Sequence, residues 1–196
     1  MDRFWEEGHT KFFISTNYKS KMIEDYFETN VKTGFNISFF SEDRPLGTAG
    51  SLSLVKDRIS TDFFVSNCDI IVESDYSEIY SFHKENKYEL TAVAFVKELT
   101  IPYGTFELES EGLLSTIKEK PKYTFLVNAG LYVLSPHVLD EIPKDRMFHI
   151  TDLMNKIISR GGRVGVFPIN EGSWLDIGQW KEYNRTLKRY DQEINL

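Results

Sequence analysis

This sequence is poor in cysteine, has no long apolar run, and carries no excess of positive charge. A single cysteine, Cys68, stands among 196 residues, so no internal disulfide can form and a reducing compartment, the cytoplasm, is the expectation. No apolar stretch approaches the roughly 18–20 residues needed to span a bilayer, and the N-terminal MDRFWEEGHTKFF has no signal-peptide core. Membrane partners are therefore not expected. Acidic residues outnumber basic ones, 30 to 23, for a net charge of −7. A protein that grips a nucleic-acid backbone needs the opposite balance, and that partner class drops out. Four histidines, His9, His83, His137 and His149, show no metal-ligand spacing, and none pairs with Cys68 as a nucleophile needs. Cys68 reads as a small buried hydrophobe, and His83 as packing on a helix flank.

What is present reads as one domain, 1–196. There is no repeat and no low-complexity linker, and 41% apolar residues are enough for a sizeable core at this length. Short apolar strands alternate with amphipathic helices in the first half. KFFIST (11–16) and NISFF (36–40) read as strands around a helix from Ser20, whose apolar face is expected to carry Met22, Ile23, Tyr26 and Phe27. SLSLVKDRI (51–59) reads as a helix, DFFVSNCDIIV (62–72) as a buried strand that runs into a polar tip at Ser66–Asp69, 76–87 as a helix and ELTAVAFV (89–96) as a strand. That order is what a parallel sheet covered by helices produces. In the second half, 103–110 and 113–120 form a hairpin turning at Glu111–Gly112. FLVNAGLYVL (125–134) is a further strand, and a short helix opens at Ser135–Pro136. A helix over 151–160 stops at Gly161–Gly162. Short strands follow at 163–169 and 173–178, and the tail spaces Trp180, Tyr183, Leu187 and Tyr190 on one helical face. The fold class is mixed α/β, a mainly parallel sheet flanked by helices.

Several short constellations carry chemistry. Asp69 in SNCDIIV and Asp176 in WLDIG sit at strand ends in polar surroundings. Two carboxylates at a sheet edge can share a hard divalent ion that bridges phosphate oxygens. The alternative is plain capping: Asp69 of its strand, Asp176 of the last helix. RPLGTAGSL is a glycine-rich loop entering a helix, where backbone N–H groups can approach a base or phosphate, or it is a simple connection. KEKPK places Glu119 and Lys120 before Pro121, as a phosphate-binding point charge or a solvated turn. Asn128, inside an apolar strand, needs a partner for a buried amide, either backbone or a ligand hydroxyl.

Taken together and in this order, these segments resemble the sugar-1-phosphate nucleotidyltransferases, in particular the mannose-1-phosphate guanylyltransferase branch. PLGTAGSL resembles the base-recognition loop, and VSNCDII the strand with the first metal aspartate. PYGTFEL, IKEKP and NAGLYVLSP resemble the sugar-side segments, and WLDIGQWKEY the segment with the second metal aspartate. The resemblance covers nearly the whole chain. It implies a Rossmann-like nucleotide-diphospho-sugar transferase fold and an enzyme that passes a nucleotidyl group from an NTP, GTP favoured, to a sugar-1-phosphate. Its products are an NDP-sugar and pyrophosphate.

The implied roles are specific. Gly47, Thr48 and Gly50 line the nucleobase site. Asp69 and Asp176 hold a Mg²⁺ ion, and with Lys120 on the sugar phosphate they form the catalytic set. Tyr103, Gly104, Glu119 and Asn128 bind the sugar. No covalent protein intermediate is needed. Two departures from the pattern stand out. Cys68 occupies a position where glycine is frequent. The GxGTR-type loop that opens the family pattern is not found before Arg3. A fragment with impaired turnover is therefore the expectation, as is either self-association, with a homo-oligomer as one form of it, or low stability. Two other readings remain open. One is a glycosyltransferase that uses NDP-sugars, whose usual Asp-x-Asp pair has no counterpart here. The other is a non-catalytic remnant that binds a nucleotide or sugar phosphate.

Overall fold

A computed structural model of the chain describes residues 1–30 and 34–178. The amphipathic tail expected after Trp180 lies outside the described residues. The chain divides into two compact units. The first comprises Met1–Cys68, Asp75–Ala92 and Leu131–Phe167, and the second Asp69–Ser74, Val93–Gly130 and Pro168–Leu196.

In the first unit, α1 (Asp2–Glu6) leads into β1 (Lys11–Thr16), α2 (Ser20–Asn30) and β2 (Asn36–Ser41). β1 and β2 pair in parallel, Phe12 opposite Ile37 and Ile14 opposite Phe39. The crossover helix α2 buries none of its residues fully. Ile23 and Phe27 are half-buried, while Met22 and Tyr26 are exposed, so the apolar face is narrower than the spacing predicts. Phe4 of α1 sits in an aromatic cluster with Phe12, Phe64 and Tyr76, its ring centroid 4.6 Å from that of Tyr76. Glu7 accepts from the backbone N–H of Tyr76 at 2.9 Å, which satisfies one of the orphan donors at the start of α4 (Tyr76–Glu85).

The core of this unit is aliphatic. α5 (Ile150–Ser159) buries Ile150, Leu153 and Ile157, the i, i+3, i+7 stripe of an amphipathic helix. They pack with Leu90, Leu134, Leu139 and Ala49. β3 (Phe63–Ser66) pairs antiparallel with the end of β8 (Lys122–Leu134), Phe63 opposite Leu134. The sheet order is β3-β8-β5-β9, with β5 at Leu90–Thr100 and β9 at Val164–Asn170. β5, β8 and β9 each contribute residues to both units. The buried run 90–95 of β5 explains its near-continuous apolar sequence, because a strand covered on both faces has no polar side.

The second unit holds β4 (Ile70–Val72), β6 (Thr105–Leu108), β7 (Leu114–Lys118) and β10 (Trp174–Asp176). β6 and β7 form the expected hairpin. Its turn places Glu111 at φ 62° and Gly112 at φ 80°, two successive left-handed residues of the kind tight hairpins use. The Trp174 ring stacks on Phe95 with centroids 4.4 Å apart, and its indole N–H donates to the Ala129 carbonyl at 2.8 Å.

Two segments differ from the sequence reading. The segment 62–72 is two strands, β3 and β4. β4 pairs antiparallel with β10 rather than continuing β3, because the chain turns at the exposed run Ser66–Asp69. The helix expected over 51–59 is two short 3-10 turns, Ser51–Leu54 and Lys56–Arg58. They follow a single helical turn, α3 (Gly47–Gly50), formed by the glycine-rich loop itself.

Candidate functional site

The two aspartates are brought together by backbone pairing within the second unit. β4 and β10 run antiparallel with Asp176 opposite Ile70, and the Ile177 N–H donates to the Asp69 carbonyl at 2.9 Å. Gly178 lies close to both side chains. A Cβ on it would stand 2.8 Å from Asp69 Oδ2 and 3.3 Å from Asp176 Oδ1. The triangle inequality then holds the two oxygens within roughly 6 Å. An ion bound at about 2.0–2.1 Å by both carboxylates needs them within about 4 Å, a separation this upper bound allows. The Gly178 N–H donates to Asp176 Oδ1 at 2.8 Å, fixing that carboxylate. Among the described residues no group of three or more His, Cys, Asp or Glu side chains could hold a metal by itself. Two hard oxygen donors alone fit a hard divalent cation whose remaining ligands come from water or a substrate.

Tyr103, Gly104, Glu119, Lys120 and Asn128 also belong to the second unit. The hairpin register, Thr105 opposite Lys118, places Gly104 beside Glu119, and a Cβ at Gly104 would lie 3.1 Å from Glu119 Oε2. Lys120 follows at φ 44°, a left-handed conformation that costs a non-glycine residue free energy and tends to occur at functional positions. Tyr103, Glu119 and Lys120 are exposed. Asn128 corrects the sequence reading. It is exposed, not buried, because this half of β8 lies outside the core, and its Oδ1 accepts from the Gly130 N–H at 3.1 Å.

The glycine-rich loop belongs to the first unit, where a segment about a hundred residues later holds it. The Phe148 N–H donates to the Leu46 carbonyl at 2.8 Å, and the Phe148 carbonyl accepts from Ala49 at 3.0 Å and Gly50 at 2.9 Å. Thr48 Oγ1 accepts from the Ile150 N–H at 3.0 Å. Gly47 has φ +80°, and a Cβ there would meet the Phe148 carbonyl oxygen at 2.8 Å. The sequence reading missed Phe148, His149 and Ile150, because no local pattern announces a partner so distant along the chain. Gly178 was within reach of a pattern, standing two residues after Asp176.

The perturbed titrating groups of the first unit are structural. His83 packs on the flank of α4 and is 1% exposed. Its Nδ1 lies 2.9 Å from Thr91 Oγ1 and its Nε2 3.3 Å from Ser135 Oγ, so it ties α4 to β5 and to the residue that follows β8. Burial lowers its pKa, and the nearby Asp62 carboxylate opposes this in part. Glu89 is held down to about 2 by Arg160, aided by His137 and the Arg163 N–H, against the cost of its own desolvation. Cys68 is exposed, not a buried hydrophobe, because it stands in the turn between β3 and β4.

Residues 1–193 match the family described as nucleotidyl transferase. The chain is 34% identical over 199 residues to mannose-1-phosphate guanyltransferase 2 of Candida glabrata, an alignment covering 97% of this chain and 54% of that protein. It is 34% identical over 184 residues to mannose-1-phosphate guanyltransferase of Schizosaccharomyces pombe, covering 90% and 50%, and 32% identical over 194 residues to mannose-1-phosphate guanyltransferase beta-B of Xenopus laevis, covering 95% and 53%. The chain thus spans about half the length of the curated relatives it matches. Among solved structures, HddC from Yersinia pseudotuberculosis shares the fold with a TM-score of 0.73 at 22% identity, covering 97% of this chain and 83% of that one. The α/β architecture, the ordered segments and the match over residues 1–193 converge on one assignment: the chain belongs to the nucleotidyl transferase family.

Proposed function

We propose that this chain transfers a nucleotidyl group from an NTP, GTP by preference, to a sugar-1-phosphate of the mannose class. The observation that carries the reading is the pair of carboxylates, Asp69 and Asp176, both close against Gly178. The relatives named for mannose-1-phosphate guanylyl transfer favour the guanine nucleotide and the mannose-type acceptor.

In this reading Asp69 and Asp176 hold Mg²⁺, which when bound neutralises phosphate charge. Asp176 is kept in place by the Gly178 N–H. Lys120 binds the sugar phosphate as a point charge. Glu119 accepts hydrogen bonds from sugar hydroxyls, with Gly104 leaving its carboxylate uncrowded. Tyr103 and Asn128 complete the sugar side, and Gly47, Thr48 and Gly50 form the nucleobase loop. A phosphate oxygen of the sugar-1-phosphate attacks the α-phosphorus, a P–O bond forms, and the bond to the β-phosphate breaks with its electron pair leaving on pyrophosphate. The acceptor is already an anion, so no general base is required, and positioning with charge neutralisation supplies the rate.

Calorimetric titration with GTP, CTP, UTP and dTTP, with and without Mg²⁺, tests this. Mg²⁺-dependent binding of GTP above the other three is the expected result. Binding of NDP-sugars without NTP binding would instead favour the glycosyltransferase reading, and metal-independent binding of sugar phosphate alone a non-catalytic one.

A further inference from the structure

The glycine-rich turn spends much of its hydrogen-bonding capacity inside the protein. The N–H groups of Ala49 and Gly50 both go to the Phe148 carbonyl, and the Leu46 carbonyl receives the Phe148 N–H. The Thr48 hydroxyl oxygen accepts from Ile150, the first residue of α5. That amide is one of the four donors a helix leaves unpaired at its start. Ile150 is 4% exposed, so the bond answers a buried need that water does not meet. On the far side of the same helix end, Asp152 Oδ2 accepts from the His149 N–H at 2.8 Å. Loop and helix start are therefore one hydrogen-bonded block. Gly47 is needed because a side chain there would strike the Phe148 carbonyl, whether or not a ligand approaches.

We propose that Thr48 is a positioning residue. Its hydroxyl fastens the nucleotide loop to the N-terminus of α5 and thereby sets nucleotide affinity, and Asp152 acts on the same loop through His149 and Phe148. This rests on the nucleotidyl-transfer reading, in which the 46–50 turn receives the nucleotide. The loop's shape is then fixed before the nucleotide arrives, and less ordering free energy is lost on binding. A side chain that touched the base directly would discriminate between bases. A side chain that holds the loop affects every nucleotide alike.

The test is Mg²⁺-dependent binding of GTP and UTP to the whole chain by calorimetry, for wild type, Thr48→Val, Thr48→Ser and Asp152→Ala. Thr48→Val removes the acceptor and keeps the shape. It should weaken GTP and UTP by the same factor, about tenfold, the equivalent of one hydrogen bond, leaving the affinity for mannose-1-phosphate unchanged. Thr48→Ser should restore wild-type binding, and Asp152→Ala should weaken both nucleotides in parallel. Equal nucleotide affinity in Thr48→Val and wild type would overturn the proposal, as would a change in the GTP-to-UTP ratio. Wild-type protein that binds neither nucleotide would instead overturn the reading of the site. Should Thr48→Val fail to fold, amide exchange in wild type decides. GTP should slow exchange at Ile150, and an unchanged rate on saturation would contradict the proposal.

Discussion

The Asp69 carboxylate lies against Gly178 so closely that a methyl group there would stand 2.8 Å from its Oδ2. Space for the first aspartate is thus set by a residue adjoining the second. Gly178→Ala should displace the Asp69 side chain while leaving the β4–β10 ladder intact. Substitutions that disturb the support of a metal ligand typically cost about 10- to 100-fold in affinity. The expected outcome is a loss of that size in Mg²⁺-dependent GTP binding, read by calorimetry, with a thermal melt within a few degrees of wild type.

Glu89 should govern acid stability. Its carboxylate receives Arg160, His137 at 2.7 Å and the Arg163 N–H at 3.1 Å, which hold its pKa near 2 against an ordinary 4.5. A depressed carboxylate contributes stability above its unfolded pKa and loses it as pH falls through the folded one. Denaturant melts should therefore show stability falling between about pH 4.5 and 2. Glu89→Gln should cost about 1–2 kcal/mol at neutral pH and flatten that part of the profile. An unchanged profile in Glu89→Gln would contradict this.

His83 should act in a different window. Its folded pKa is below the ordinary 6.5 because burial penalises the charged ring, with Asp62 offsetting part of that cost. Between the two pKa values the unfolded chain binds the extra proton, so stability rises with pH up to about 6.5 and falls below it. Asp62 Oδ2 at 3.9 Å and Lys84, itself bonded to Asp62 at 2.8 Å, are the charged neighbours. His83→Leu should remove this slope and strand the Thr91 and Ser135 hydroxyls, at a cost of about 1–3 kcal/mol. Persistence of the slope in His83→Leu would assign it elsewhere.

Much of this was legible in the sequence where the signal is local. The β1–α2–β2 unit follows from apolar periodicity, and the hairpin at Glu111–Gly112 from turn chemistry. Asp69 and Asp176 were legible as acids at strand ends, but not their pairing through an antiparallel β4–β10 ladder, which no local window contains. The segment 62–72 reads as a strand with a polar tip at Ser66–Asp69, but periodicity does not show that the residues after the tip pair in another sheet. Asn128 differs from its expected burial, and the full enclosure of His83 goes beyond what its helix position shows. Burial depends on what the tertiary fold lays over a residue, and β8 is covered only from Ala129 onward, whereas His83 is enclosed by hydroxyls from two distant segments.

The most direct test of the account is the metal dependence of GTP binding in Asp69→Asn and Asp176→Asn, each measured by calorimetry beside wild type at several Mg²⁺ concentrations. Replacing a carboxylate with an amide keeps shape and removes charge, so the account predicts that GTP affinity in both variants becomes nearly independent of Mg²⁺. Full retention of the wild-type Mg²⁺ dependence in either variant would contradict the shared-ion site.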